Sequence, residues 1–137
     1  MGGMKTEQRL HRNCRGTSTL EFLLVLPMLM LILFAGVELS RAWMTLNVVV
    51  SAAREGARVG VVTNPFSEAT AIARINTVLA GANLTSTSAS VTCAAPCGPD
   101  SPVSATVTVN FQTLFPVLLP MLPNPLPLTE TAVMRYE

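Results

Sequence analysis

The chain is short of charge. Only 12% of its 137 residues are Asp, Glu, Lys or Arg, and the formal net charge is +1. A chain so close to neutral has no broad attraction to a phosphate backbone, so nucleic acid is not an expected partner. Histidine is nearly missing too: His11 is the only one, and it lies near the amino terminus. The acidic residues do not cluster as metal ligands do. No Gly-rich phosphate loop and no nucleophile with a neighbouring base can be read. The expectation is therefore a protein that is not an enzyme and carries neither a cofactor nor a metal.

What charge there is lies unevenly. Up to Gly16 the basic residues Lys5, Arg9, Arg12 and Arg15 face only Glu7. After Gly16, five basic residues face seven acidic ones. Phe22 to Val37 then carries no charge at all. A basic head directly before an apolar run predicts a head that stays in the cytoplasm and a remainder that crosses the membrane. As a helix the run spans about 24 Å, short of a hydrocarbon core of about 30 Å. Flanking residues from Thr17 to Leu20 and from Leu39 to Trp43 restore the length, with Trp43 at the far interface. A cleaved secretory signal has a similar start. Its cleavage signal is poor, because a cut after Ala35 or Gly36 leaves Leu33 or Phe34 where a small residue belongs.

Three cysteines are present, Cys14 in the basic head and Cys93 and Cys97 in "CAAPC". Removal of the head would turn an odd count into a pair. Three intervening residues including Pro96 permit a turn that brings the two Cα atoms within bonding reach. Oxidation of that pair implies an extracytoplasmic compartment. The alternative is two free thiols or half of a metal site, for which no second ligand cluster exists.

From Thr17 to about Val61 the pattern predicts one long helix. Leu39, Ala42, Trp43, Leu46, Val49, Val50, Ala53 and Ala57 recur at three- or four-residue intervals and so share one face. Glu38 with Arg41, and Glu55 with Arg58, are spaced for surface ion pairs worth a few tenths of ~1 kcal/mol. Pro27 removes a helical donor and predicts a bend or local unwinding. Asn64, Pro65 or Ser67 start a second, short helix carrying Ile72, Ile75 and Leu79, and Gly81 stops it. "STSASVTC" from Ser86 reads as a strand. "VSATVTVNFQ" from Val103 alternates in strand fashion, and "LTETAVMRYE" from Leu128 makes a third strand. Between the last two, the segment 114–128 is apolar but contains too many prolines for a membrane helix. It reads as a loop over one sheet face, or as a contact surface for a partner subunit or the bilayer.

Glu21 is the residue that asks for an explanation. A carboxylate at the edge of hydrocarbon is costly unless paired, protonated or reaching back to the interface. A cut after Gly16 would put an amino-terminal charge at Thr17, four residues away and on the same helical face. "RGTSTLEFLLVLPMLMLILFAGVELSRAW", "AAREGARVG" from Ala52 and the closing "AVMRYE" together resemble the TadE-like pseudopilins of the tight-adherence (Tad, or Flp) pilus system, which are type IV pilin-like. The Gly-x4-Glu spacing gains its meaning from its position between a basic head and a proline-containing apolar helix.

The resemblance implies an α+β, pilin-like fold: a long transmembrane and amphipathic helix, a short second helix and an antiparallel sheet of about three strands. It divides the chain into a leader over 1–16, a transmembrane helix over 17–43, a periplasmic continuation over 44–63 and a small head over 64–137. It implies a cut by a prepilin peptidase between Gly16 and Thr17, with Glu21 and Phe22 completing the processing element. Glycine at the cut lets catalytic carboxylates approach the carbonyl. Phe22 stands where major Flp pilins usually carry tyrosine, and the folded region after the helix argues against a major Flp pilin. Implied partners are that peptidase, other pilins and pseudopilins, the Tad inner-membrane assembly platform and the lipid bilayer. The implied location is the bacterial inner membrane, single-pass, with the amino terminus cytoplasmic and the head periplasmic.

Arg54, Glu55 and Arg58 in "AAREGAR" stay open between a solvated face and an assembly contact. The small residues Ala52, Ala53, Gly56, Ala57 and Gly60 would let another backbone, or the chain's own sheet, approach closely. Two alternatives to a pilus role remain, an uncleaved single-pass envelope protein and a secretion-system pseudopilin.

Overall fold

A computed structural model of the protein describes residues 15–94, 97–98, 100–114, 116 and 123–135. The basic head through Cys14, and residues 115 and 117–122 of the segment expected to form a proline-rich loop, lie outside the described residues. The chain divides into two compact units, Met1–Phe34 and Ala35–Glu137. The elements are helices α1 (Arg15–Val62) and α2 (Glu68–Gly81) and strands β1 (Ser86–Cys93), β2 (Pro102–Phe111) and β3 (Leu126–Arg135). The arrangement is α+β, with a long apolar amino-terminal helix, a short helix and one antiparallel sheet in the order β1-β2-β3.

In the first unit α1 is helical through Pro27 without interruption. Its apolar side chains are bare: Leu20, Phe22, Leu24 and Met28 are all more than 60% exposed.

The second unit folds around β2. Val103, Ala105, Val107, Val109 and Phe111 all face inward and are buried, as their alternation with polar residues predicts. Against them pack Val49, Ala52, Ala53, Ala57 and Val61 of α1, and Ala71, Ile75 and Leu79 of α2. Val91 of β1 completes the layer. The opposite face carries hydroxyls. Thr106 and Thr131 lie 3.0 Å apart across the β2–β3 pair, and Thr108 and Thr129 2.9 Å apart.

α2 is capped at Ser67, whose hydroxyl accepts from the Thr70 N–H, so of the expected start signals Ser67 is the one used. Asn83, in the left-handed region at φ 56, follows the helix and lets the chain turn into β1. β3 starts at Leu126, two residues before its expected beginning, and takes Pro127 into the strand. Pro127 pairs with Asn110 on an edge strand, where a missing N–H is tolerated.

Of the α1 stripe, Val49, Ala53 and Ala57 are buried. Leu39 and Trp43 are 72% and 65% exposed, whereas Ala52, Gly56 and Gly60 are buried. Towards α2 and the sheet the layer spacing demands small residues. A Cβ at Gly56 would lie 2.5 Å from Ile75 Cγ1 and Cδ1, and one at Gly60 would lie 2.9 Å from Val103 Cγ1. The small residues thus serve approach by the chain's own α2 and sheet.

This geometry opposes helix propensity. Alanine at position 56 gains about 1 kcal/mol of propensity but meets a fully buried Ile75, and overpacking costs about 1–3 kcal/mol. Gly56→Ala is expected to lower the melting temperature of the full chain in detergent. Gly81→Ala, where a Cβ has open space, is expected to leave it unchanged or raise it. Equal effects of the two in thermal circular dichroism would contradict the packing account.

Candidate functional site

The processing residues predicted from the sequence occupy the start of α1. Gly16 and Thr17 fall in its first turn, and Glu21 and Phe22 are exposed one turn further on. Positions 17 and 21 are one helical turn apart, the spacing at which side chains share a face. α1 is long and apolar enough to cross a membrane, and its most apolar stretch is unburied.

Arg54, Glu55 and Arg58 do not act alike. Glu55 takes both Arg58 Nε (2.9 Å) and Arg58 Nη2 (2.8 Å) on its two carboxylate oxygens. Arg74 of α2 donates from Nε at 3.0 Å to the same Oε1 that takes Nη2. Hydrogen bonds from the two guanidinium groups, Arg58 foremost, hold the Glu55 carboxyl down at about 2 against an ordinary 4.5. Glu55 therefore links α1 to α2, a use of the residue that helical spacing could not reveal because Arg74 is 19 positions away. Arg54 is exposed and lines a recess of about 110 Å³ with Glu130.

The pair Cys93–Cys97 is a disulfide with its Cα atoms 5.7 Å apart. It closes the loop that follows β1. In a chain-entropy account a ring this short contributes about 2 kcal/mol. Among the described residues no group of three or more His, Cys, Asp or Glu is placed to hold a metal ion.

The arrangement that sequence reasoning missed centres on Glu38. Its spacing from Arg41 predicted a surface pair. The pair forms, at 3.2 Å, but Glu38 is only 5% exposed. Its second oxygen, Oε1, accepts the Leu114 N–H at 2.6 Å, so one carboxylate holds the chain after β2 against α1. The Arg41 guanidinium lies 5.2 Å above the Phe111 ring, a cation–π distance. Beside them is a cavity of about 340 Å³ lined by Ala35, Glu38, Leu39, Ala42, Phe111, Thr113 and Leu126. Thr113 Oγ1 is buried there without a hydrogen-bond partner among the described residues. The available signal was a glutamate at the end of an uncharged run, where one arginine leaves carboxylate lone pairs unsatisfied.

The family model described as TadE-like protein matches residues 16–58, so the resemblance read from the sequence is shown over this segment, just under a third of the chain. The match contains Gly16, Glu21, Pro27, Glu38, Arg54, Glu55 and Arg58. No curated protein and no solved structure matches the chain.

Two measurements test the site. Glu38→Ala strands the Leu114 N–H and Arg41 together and is expected to cost about 1–3 kcal/mol, whereas Glu38→Gln keeps an acceptor and is expected to cost less. Urea unfolding of both in detergent checks the order, and equal losses would rule out the backbone hydrogen bond as the cause. For Glu55 the folded carboxyl titrates below its unfolded counterpart. Its stabilising effect is then fully present above about 4.5 and is lost as pH falls toward about 2. Glu55→Gln is expected to flatten the fall in melting temperature over that window; parallel curves for the two proteins would refute the assignment.

Proposed function

We propose, from the TadE-like match over residues 16–58, that the protein is a minor pilin-like component of Tad (Flp) pilus biogenesis. It is made with a basic leader and anchored in the bacterial inner membrane by α1, amino terminus cytoplasmic and head periplasmic. A prepilin peptidase removes the leader between Gly16 and Thr17. The chain then works with other pilins and pseudopilins and with the Tad inner-membrane assembly platform, in support of surface adhesion and biofilm formation. Its contribution is structural rather than catalytic.

The observation that carries this reading is that the matched segment lies within α1, whose first turns hold Gly16, Thr17 and Glu21 ahead of exposed apolar side chains. The chemistry supports it. A new amine at Thr17 and the carboxylate of Glu21 would lie one turn apart at the edge of hydrocarbon. There, opposite charges attract strongly and an unpaired carboxylate is costly. The pairing can close within one chain or between neighbours, and in the second case it sets the register of adjacent helices. The Cys93–Cys97 disulfide supports an extracytoplasmic head, since such bonds persist in oxidising compartments.

The test is the intact mass and amino-terminal sequence of the protein taken from membranes, with and without the prepilin peptidase. A start at Thr17 that depends on the peptidase is expected. The same leader start in both strains would leave an uncleaved, single-pass envelope protein.

A further inference from the structure

The bond between Cys93 and Cys97 has two unequal ends. Cys93 is the last residue of β1 and lies opposite Val103 of β2, so it shares the inner face of the sheet with a wholly buried valine. Its side chain packs against the hydrophobic core. Cys97 stands four positions further on, in the loop that joins β1 to β2, and is exposed. One sulfur is backed by the core and the other by solvent.

That difference selects a direction of reaction. A thiolate opens a disulfide by attacking one sulfur in line with the bond, from the side opposite the sulfur that leaves. Attack at Cys93 would have to come from the core side, where Val103 and its neighbours lie. Attack at Cys97 comes from solvent, with the Cys93 thiolate leaving. Closure of the bond retraces the same path, so Cys97 first carries the incoming group and Cys93 displaces it. The loop does little to activate either sulfur. A thiol becomes reactive beside a basic side chain or a metal. No Lys, Arg or His occurs between Arg74 and Arg135, and Arg135 itself pairs with Asp100 at 4.0 Å. A dithiol without such help exchanges fastest with a partner whose own leaving thiolate is stable.

We propose that Cys97 is the exchange site of the head, the sulfur through which a thiol–disulfide oxidoreductase makes the Cys93–Cys97 bond. The proposal rests on the reading of the head as extracytoplasmic, where such oxidants act. The Cys97 thiolate attacks the disulfide of the oxidoreductase and releases one of its two sulfurs as a thiolate. The Cys93 thiolate then attacks Cys97 Sγ and releases the other. This chain loses two electrons and two protons, and the oxidoreductase gains them as a dithiol. Cys14 takes no part, because it lies on the leader side of the proposed cut at Gly16.

The experiment uses the full chain with Cys14→Ser, in detergent and with its disulfide intact, and reduced glutathione as the probe. Brief exposure, acid quenching and peptide mass mapping locate the glutathione. Adducts on Cys97 are expected to exceed those on Cys93 by roughly tenfold or more. Keeping the native bond until the moment of attack means that the result does not depend on a cysteine variant folding. Equal labelling of the two sulfurs, a preference for Cys93, or no adduct on either overturns the exchange site and leaves the location of the head untouched. Alkylation of the protein in its own membranes, with and without the thiol oxidoreductase of that compartment, reads the partner. A bond that depends on the oxidoreductase is expected. A bond formed equally well without it overturns the partner while the extracytoplasmic reading stands. Free thiols at both positions in both strains overturn the two together.

Discussion

The packing of α1 on the rest of the head depends on the absence of side chains at two positions. Ile75 and Val103 occupy the space where Gly56 and Gly60 would carry a Cβ, and the buried alanines on either side keep the layer equally thin. Dispersion falls off steeply with separation, so a layer held apart by even one methyl group forfeits much of its contact energy. Glycine in a helix is costly by propensity alone. Here that cost is offset by allowing α2 and β2 to lie against the same helical face. The position of Glu55 opposite Arg74, and that of Glu38 opposite Leu114, both follow from this close approach.

α1 therefore meets two environments along its length. Its first half offers large apolar side chains that nothing in its own unit covers, and its second half buries small ones beneath a sheet. Glu38 stands where the character of the helix changes. A carboxylate there must be satisfied by the protein, and it is, by a backbone N–H and a guanidinium. Polar groups withdrawn from water stabilise a fold only when their partners are complete. Complete pairing also fixes geometry, because the Leu114 N–H can be reached only with β2 in its present register against the helix.

The sheet divides its faces by chemistry. The inner face supplies valines, alanine and Phe111 to the core, and the outer face aligns threonine hydroxyls across β2 and β3. Both helices lie on the inner side, which leaves the threonine hydroxyls facing outward. The small core leaves little stability in reserve. The disulfide next to β1 and the Glu55 links between the helices act at the periphery, where such a domain opens first.

Much of this was legible in the sequence because it is local. Charge-free length identified the apolar helix, strict alternation identified β2, and the start of β1 at Ser86 and the end of α2 at Gly81 were marked by turn chemistry. The "CAAPC" spacing allowed the disulfide, and the Gly16 to Glu21 element pointed to the family whose model matches the same segment. Partners distant in the chain were not legible. The small residues Ala52, Gly56 and Gly60 read as sites of close approach, and only the fold shows that the chain's own α2 and sheet come that close. Spacing paired Glu38 with Arg41 and Glu55 with Arg58, and both pairs form. Only the tertiary structure brings in Leu114, 76 positions from Glu38, and Arg74, 19 positions from Glu55. Local pattern records what a residue prefers, while the fold decides which groups come close enough to satisfy it.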